Sequence, residues 1–319
     1  MGKLLNAAAC AGALVVAGVG ETAYFYNRTM VRNNVDRERT MKMAGTDWSQ
    51  YWTLIQKRKA YLLSQPHEDV YQTSFDDLKL HASYFPALPE YKPADVKKKV
   101  AICFHGYTSM GLSDYVGLSD YYLKRGFAML LPDARAHGDS EGRYIGFGCL
   151  DRKDALGWIK WVFQKCGKDV EIILHGTSMG GATVLMTSGL ELPPQVKGIV
   201  SDCGFTSPKE VFTHVLKSMY HLPAFPIIPA ANVVNNRLAG YGMDECNAKR
   251  EVRKAKVPIL FIHGSKDTFV PCQMCHEIYA NCASPKKKLI IDGAAHAESY
   301  YKATEKYEKA LTEFFDGIL

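Results

Sequence analysis

A serine between glycines is the residue of this sequence best placed to act as a nucleophile. It lies in Gly176-Thr177-Ser178-Met179-Gly180, between an apolar run that ends at Leu174 and an apolar stretch with helical spacing. A G-x-S-x-G motif in this setting predicts a tight strand-to-helix turn that lifts the hydroxyl out, with glycines where a Cβ would clash. A helix that begins at Met179 would also point its positive end at an oxyanion formed beside Ser178.

A histidine and an aspartate occupy positions from which they could activate this serine. A serine hydroxyl is a poor nucleophile at neutral pH, so it needs an adjacent base and a group that orients the base. His296 follows the last predicted strand and is interpreted as the base, and Asp267 follows the preceding strand and is interpreted as the acid. The order serine, aspartate, histidine is the one that accompanies this kind of turn. Asp202 is an alternative acid, and Asp292 is a further one.

The loop after the first predicted parallel strand could stabilise a developing negative charge. It reads His105-Gly106-Tyr107-Thr108. We expect the backbone N–H groups of Tyr107 and Met179 to form an oxyanion hole, in which the loss of one donor typically costs about 10²- to 10³-fold in rate. The alternative role for the Tyr107 ring is to wall the pocket. The histidines that end predicted strands are interpreted as loop-bracing residues, and these are His105, His175 and His263.

Cysteines supply the best candidate for a metal site, but the pattern is incomplete. The chain has nine cysteines, and Cys272, Cys275, His276 and Cys282 lie close together in the sequence. A second closely spaced pair, which a zinc site would need, is missing. No metal or cofactor is predicted, and the free thiols are expected to be mostly reduced.

Short apolar runs that alternate with helical segments predict the framework that positions these residues. Such alternation predicts a mostly parallel central sheet with helices on both faces. A G-x-S-x-G turn on a sheet of this kind is typical of the α/β-hydrolase fold. A helix over residues 48–63 and an antiparallel hairpin formed by 70–75 and 78–85 precede the alternation. The runs are 100–104, 127–132, 170–174, 199–201, 259–262 and 289–291, and the helical segments are 113–125, 152–166, 179–190, 272–281 and 303–315.

A long interval between two strands interrupts this rhythm. It covers residues 206–256 and includes Pro223, Pro226 and Pro229 in an apolar stretch. Insertions of this length above the carboxyl edge of a sheet usually cover the site, so we expect a short helical cap. The predicted organisation is an N-terminal segment over 1–27, a linker with an amphipathic helix over 28–69, and a hydrolase domain over 70–319.

The N-terminal segment has the character of a single-pass membrane anchor. Residues 4–25 carry one charge, Glu21, and about 22 helical residues would extend roughly 33 Å, enough to cross the hydrocarbon core of a bilayer. A cleaved signal peptide, giving a secreted protein, is the alternative. Lys3 favours an inward N-terminus, whereas Arg28, Arg32, Arg37 and Arg39 favour an inward catalytic domain, so both orientations stay open.

Composition limits the classes of partner. The chain has 319 residues, of which 47% are hydrophobic, and a formal net charge of +6 that is spread along the sequence. This length suits one large catalytic domain. Basic patches with interleaved aromatic residues, as in nucleic-acid platforms, are not apparent, so a nucleic-acid partner is not predicted.

Several motifs of this sequence together resemble those of a known family. They lie at residues 104–108, 132–140, 146–148, 176–180, 202–207 and around Asp267 and His296. The resemblance is to membrane-anchored α/β-hydrolases of the bacterial YqkD-like and Bem46-like group, and it covers about residues 70–319. Arg135-Ala-His-Gly departs by one small residue from the commoner Arg-Gly-His-Gly. The resemblance implies a hydrolase without a cofactor.

The predicted activity is hydrolysis of a small or lipid-like carboxylic ester through an acyl-enzyme on Ser178. A peptidase or amidase that uses the same residues is the alternative, because this fold also supports that chemistry. A non-catalytic member that binds a ligand is a further alternative. A haloalkane-type hydrolase is disfavoured because that chemistry uses a carboxylate nucleophile where Ser178 stands.

Overall fold

The computed structural model describes residues 23–24, 26–32, 45–91 and 97–319, and eight strands within them form one sheet. The strands are β1 (Glu68–Thr73), β2 (Lys79–Phe85), β3 (Lys98–Phe104), β4 (Phe127–Pro132), β5 (Val170–Thr177), β6 (Val196–Asp202), β7 (Ile259–Gly264) and β8 (Lys286–Ile291). Their order is β1-β2-β4-β3-β5-β6-β7-β8. β1 and β2 form an antiparallel hairpin, β2 runs antiparallel to β4, and the neighbours from β4 to β8 are parallel.

Helices cover both faces of this sheet. They are α1 (Trp52–Ser64), α2 (Gly111–Lys124), α3 (Asp151–Cys166), α4 (Met179–Thr187), α5 (Pro208–Met219), α6 (Ile227–Leu238), α7 (Ala248–Glu251), α8 (Cys272–Asn281), α9 (Ser299–Lys302) and α10 (Thr304–Phe315). Successive residues of a strand point to opposite faces. Thus Val100 and Ile102 pack with Trp158 of α3, while Ala101 and Cys103 pack with buried residues of α2 and α10.

The predicted fold class is confirmed, and several element ends differ from the predicted ones by up to about four residues. β8 begins at Lys286 rather than at residue 289, and its three lysines pair with residues 259–261 of β7. No apolar pattern marks this start, because an edge strand needs only backbone pairing and leaves its side chains to solvent. α4 ends at Thr187, three residues before the predicted end.

The chain before β1 contributes to the core. Met30 is 1% exposed and Leu62, in α1, is fully buried, and α1 packs against α2. The predicted anchor over residues 4–25 falls outside the described residues apart from positions 23 and 24. Within the described ranges, no helix is long and apolar enough to cross a membrane.

Residues 206–256 form a helical layer near the end of β6. They hold α5, α6, α7 and a 3₁₀ turn at Val252–Lys254. Backbone hydrogen bonds close the layer on itself, from Ala248 N–H to the Thr206 carbonyl and from Lys209 N–H to the Met243 carbonyl. A small apolar cluster of Leu216, Ile227 and Ile228 sits inside it.

The loop after β4 is fixed by a buried arginine. Arg135 donates from Nε and Nη2 to the two carboxylate oxygens of Asp154, both at 2.8 Å, and from Nη1 to Asp76 at 2.9 Å. Its side chain is 3% exposed. The same loop supplies Ala134 N–H, which donates to His105 Nε2 at 2.9 Å, so it also supports the loop after β3.

We predict that Arg135→Ala lowers the free energy of unfolding by about 3–5 kcal/mol, because Asp154 would stay buried without its partner. Urea denaturation measures the change. The control is Arg125→Ala, whose pair with Asp316 has side chains 33% and 64% exposed. That variant should lose less than about 1 kcal/mol. Equal losses in the two variants would contradict the structural role given to Arg135.

Candidate active site

Ser178 lies at the turn between β5 and α4, in a backbone conformation that few side chains adopt. Its φ is 56° and its ψ is −112°. Such a conformation costs on the order of 1–3 kcal/mol for a residue with a Cβ and persists only when the surroundings impose it. Here Ser178 N–H donates to the Asp202 carbonyl at 2.8 Å, which ties the turn to β6. The sequence-predicted strand-to-helix turn is therefore present.

Two glycines make this turn possible. A Cβ on Gly176 would collide with the Gly180 carbonyl, and a Cβ on Gly180 would collide with the Phe104 carbonyl at the end of β3. The turn thus packs backbone against backbone, where any side chain would force the strands apart.

The structure brings together the three residues predicted to form a triad. His296 Nε2 lies 2.8 Å from Ser178 Oγ, and His296 Nδ1 lies 2.7 Å from Asp267 Oδ2. The carboxylate accepts a hydrogen bond from Nδ1–H, which leaves Nε2 as the acceptor for the serine hydroxyl. All three side chains are buried. This arrangement has the geometry of a nucleophile, a base and an orienting acid.

The environment of Asp267 keeps it ionised. Its Oδ1 accepts the N–H groups of Phe269 and Val270 at 3.0 and 2.8 Å, and His263 Nε2 lies 3.3 Å from its Oδ2. Burial alone would raise its pKa. The attraction that the carboxylate exerts on a positive charge carried by the His296 ring, together with hydrogen bonds from His263 and His296, outweighs burial and holds the pKa of Asp267 well below its ordinary value.

Neither alternative acid is the hydrogen-bond partner of His296 Nδ1, which is Asp267. Asp292 Oδ1 accepts from Ser265 Oγ at 3.0 Å. Asp202 is buried at the end of β6, and its Oδ1 and the Oγ of Ser299 have no hydrogen-bond partner among the described residues. Burial raises the pKa of Asp202 to about 6, and the nearby charge of His263 acts in the opposite direction.

The loop predicted to supply one oxyanion donor runs directly against the serine. A Cβ on Gly106 would lie 3.3 Å from Ser178 Cβ. The amides on either side of Tyr107 are engaged, with Gly106 N–H donating to Asp114 at 2.6 Å and Thr108 N–H donating to His137 Nε2 at 3.2 Å. The second predicted donor, the N–H of Met179, belongs to the first residue of α4, where helical amides have no intrahelical acceptor.

Histidines around this loop brace it. His105 Nδ1–H donates to the Gly106 carbonyl at 2.7 Å, and His137 Nδ1–H donates to the Arg135 carbonyl at 3.0 Å. In each ring the other nitrogen accepts a backbone N–H, so both rings are neutral. Burial lowers the pKa of His137 to about 3, which agrees with that tautomer. His175 and His263 also have buried hydrogen-bond partners.

Aromatic side chains border the site. The ring centroids of Tyr107 and Phe147 are 5.3 Å apart, and those of Phe147 and Phe212 of α5 are 4.8 Å apart. Phe269 lies 5.0 Å from the His296 ring. The serine itself is 5% exposed. The Tyr107 ring belongs to the loop that packs against Ser178 and begins a row of aromatic contacts that continues through Phe147 to Phe212.

A contact that the sequence did not predict holds the histidine loop from outside. Thr46 Oγ donates to the His296 carbonyl at 2.7 Å, and Thr46 is buried. Tyr51 Oη donates to Glu298 Oε1 at 2.7 Å, while Glu298 Oε2 accepts the Ala295 N–H at 2.8 Å. Thr46 and His296 are 250 residues apart in sequence, so no local pattern could have revealed their contact.

The four sequence-proposed metal ligands do not converge. Cys272 Sγ and His276 Nε2 are 3.7 Å apart, but no three of the four ligand atoms meet in the described part of the chain. A tighter group of ligand atoms is Cys203, Asp267 and His296, all within 4.8 Å of one another. Two of those side chains already belong to the predicted triad. The eight cysteines of the described residues are free thiols.

We predict that Thr46→Val slows the reaction of Ser178 with a fluorophosphonate by about fivefold, since one hydrogen bond that positions His296 contributes about 1 kcal/mol. The second-order labelling rate is the measurement. Ser49→Ala is the control, because the Ser49 hydroxyl bonds to the exposed Asp47 at 2.6 Å, away from the histidine loop. If Thr46→Val were labelled at the wild-type rate, this segment would not position the base.

We predict that Asp202→Asn becomes more stable relative to wild type as the pH rises. A carboxyl whose pKa is raised by folding stabilises the native state below its unfolded pKa, and that stability is lost as the pH rises through about 6. The amide cannot lose a proton, so the difference in unfolding free energy should shift by up to about 3 kcal/mol between pH 4 and 7. Denaturant titrations at both pH values, with the exposed Asp316→Asn as control, measure it. A constant difference would show that Asp202 does not titrate abnormally.

Comparison with known proteins agrees with the fold described above. Residues 100–240 match the α/β hydrolase fold family. The uncharacterized protein YqkD of Bacillus subtilis (strain 168) is 28% identical over 257 residues, which cover 78% of this chain and 83% of YqkD. The lysophosphatidylserine lipase ABHD12 of Danio rerio is 28% identical over 193 residues, which cover 59% of this chain and 48% of ABHD12.

A solved structure shares the architecture. The esterase Pf2001 of Pyrococcus furiosus superposes with a TM-score of 0.63 at 22% identity and covers 81% of this chain and 93% of its own. At that identity the likeness concerns the fold. The sheet order, the family match and the relatives lead to one conclusion: this chain has the α/β-hydrolase fold and is similar to YqkD over most of its length.

Proposed function

We propose that this chain is a serine hydrolase that cleaves carboxylic esters with Ser178, His296 and Asp267. The observation that carries the proposal is the continuous hydrogen-bonded line from Ser178 Oγ through His296 to Asp267, with distances of 2.8 and 2.7 Å. Fluctuating surface residues rarely hold such a line, whereas here all three side chains are buried and braced.

In the proposed reaction, Ser178 Oγ attacks the ester carbonyl carbon while His296 Nε2 takes the hydroxyl proton. The carbonyl oxygen becomes an oxyanion that the N–H groups of Tyr107 and Met179 stabilise. When the tetrahedral intermediate collapses, the C–O bond to the alcohol breaks and His296 gives its proton to the leaving oxygen. A water molecule then attacks the acyl-enzyme by the same route and releases the acid. Asp267 stays ionised and stabilises the imidazolium, which fits its lowered pKa.

Relatives support esters as the substrate class. Pf2001 is named an esterase, and ABHD12 is named a lysophosphatidylserine lipase. The aromatic border formed by Tyr107, Phe147 and Phe212 suits an apolar acyl or alcohol group. Peptide or amide hydrolysis would use the same triad. Comparing the cleavage of p-nitrophenyl esters with that of aminoacyl anilides distinguishes the two activities.

We also propose that residues 206–256 form the cap over this site and that residues 1–27 anchor the protein in a membrane. The cap assignment rests on Phe212 of α5, which lies 4.8 Å from Phe147 beside the site. The anchor assignment rests on the apolar sequence of residues 4–25. A chain secreted after cleavage of this segment would instead be found without it, and N-terminal sequencing of the mature protein distinguishes the two.

We predict that Ser178→Ala and His296→Ala each lower kcat for p-nitrophenyl esters to the background rate. Asp267→Asn should lower kcat by about 10⁴-fold, because an amide favours the wrong histidine tautomer. Steady-state hydrolysis of p-nitrophenyl esters, with aminoacyl anilides for comparison, measures these effects. Esters should be cleaved much faster than anilides by the wild-type chain.

Asp202→Asn is the matched control for Asp267→Asn, since both replace a buried aspartate near the end of a central strand. It should keep kcat within about tenfold of wild type, because Asp202 is not the hydrogen-bond partner of His296. A larger loss in Asp202→Asn than in Asp267→Asn would overturn the assignment of the acid. Faster cleavage of anilides than of esters would replace the esterase proposal with a peptidase.

A further inference from the structure

The connection between α5 and α6 exposes apolar side chains to an unusual degree. We call residues 219–226, which read Met-Tyr-His-Leu-Pro-Ala-Phe-Pro, the cap tip. Phe225 in the cap tip is 78% exposed, the highest value among the large hydrophobic residues of the described chain. Val233, two turns into α6, is 56% exposed. Side chains of this kind on a protein surface, when they cluster, usually mark a site of interaction.

Charge around the cap tip has one sign. Between residues 211 and 243 the sequence contains neither Asp nor Glu, and its two full charges are Lys217 and Arg237. The rest of the chain mixes acids and bases, with 33 Asp and Glu against 39 Lys and Arg in total. An apolar tip flanked only by cations is complementary to a bilayer surface that carries anionic lipids.

The N-terminal chain contacts α6, the helix that follows the cap tip, on its buried side. Tyr26 Oη donates to Asn235 Oδ1 of α6 at 3.2 Å, and Tyr107 Oη donates to the Arg28 carbonyl at 3.2 Å. The apolar stretch over residues 4–25 therefore ends one residue before a contact with the helix that follows the cap tip. A segment of that character, if inserted in a bilayer, would hold α6 close to the lipid surface.

Apolar side chains connect the cap tip with the serine. Phe212, Leu222 and Ala224 pack on the buried cluster of the cap, formed by Leu216, Ile227 and Ile228. Phe212 then contacts Phe147, and Phe147 contacts Tyr107 of the proposed oxyanion loop. This row of apolar side chains runs from the cap to the loop that packs against Ser178.

We propose that the cap tip, with Val233, docks on the surface of an anionic bilayer and that the acyl chain of a membrane lipid ester passes from there along Phe212 to Ser178. The choice of bilayer rests on the one-signed charge and on the arrival of the apolar N-terminal stretch at α6. The acyl route rests on the proposed ester hydrolysis, whereas the docking does not. Exposed aromatic residues in such a position sit about 5–10 Å into the boundary between headgroups and acyl chains.

The docking is tested by fluorescence with the full chain reconstituted in phosphatidylcholine vesicles that contain phosphatidylserine. Phe225→Trp places a reporter at the cap tip, and Tyr71→Trp is the matched control, because Tyr71 is 45% exposed on β1 at the opposite edge of the sheet. Doxyl-labelled lipid should quench the emission of the tryptophan added at the cap tip at least about twofold more than that of the control. Equal quenching in the two variants would overturn the docking. That result is also the one expected if a second copy of the chain, rather than lipid, covers the cap tip.

The acyl route is tested by comparing two esters with the same vesicles. The two substrates are a long-chain fluorogenic ester held in the vesicles and a water-soluble acetate ester. The double variant Phe225→Glu with Val233→Glu should lower the rate of hydrolysis of the long-chain ester by about tenfold and leave the rate for the acetate ester unchanged. Tyr71→Glu should change neither rate. Equal loss on both esters, or no loss on either, would overturn the route. If wild type cleaved neither ester, the proposed function would fail, while the quenching result would still decide the docking.

Discussion

The close packing of the β5–α4 turn against the end of β3 is the constraint on which the rest of the site depends. Gly176 and Gly180 allow backbone atoms to meet where any Cβ would collide, and Ser178 is held with a φ of 56° as a result. Because the turn is tied to β6 through the Asp202 carbonyl, the serine hydroxyl has a fixed position relative to the sheet. A base can then be brought to it by loops alone.

Those loops come from the ends of β7 and β8, and each is braced more than once. Asp267 accepts two backbone amides and lies between the rings of His263 and His296. The histidine loop is held in turn by Thr46 and Glu298. Since Thr46 belongs to the chain that precedes the hairpin, the segment first interpreted as a linker takes part in supporting the site.

Much of this arrangement could be predicted from sequence, for identifiable reasons. The parallel sheet follows from apolar runs that alternate with helical periodicity, and Ser178 follows from glycines that only a tight turn requires. Sequence alone does not decide whether Asp267 or Asp202 is the acid, because both aspartates lie where strands end at the same edge of the sheet. The choice depends on which carboxylate reaches His296 Nδ1, and that is set by packing between residues far apart in sequence.

Other features left no local trace. The edge strand β8 starts with three lysines. Their charged side chains give no apolar pattern, although their backbones pair with β7. The contact of Thr46 with the His296 carbonyl joins residues that no periodic pattern relates. Phe147 and Phe212 meet from a loop and a helix of different layers, and although Phe147 stands in the motif at residues 146–148, that motif does not indicate the contact.

The central claim is that Ser178 forms the covalent acyl-enzyme. The most direct measurement is peptide mass spectrometry of the full chain after reaction with a fluorophosphonate. We expect one phosphonate adduct on the peptide that contains Ser178, and none when His296 is replaced by alanine. An adduct on a different residue, or an unmodified protein under conditions that label known serine hydrolases, would contradict it.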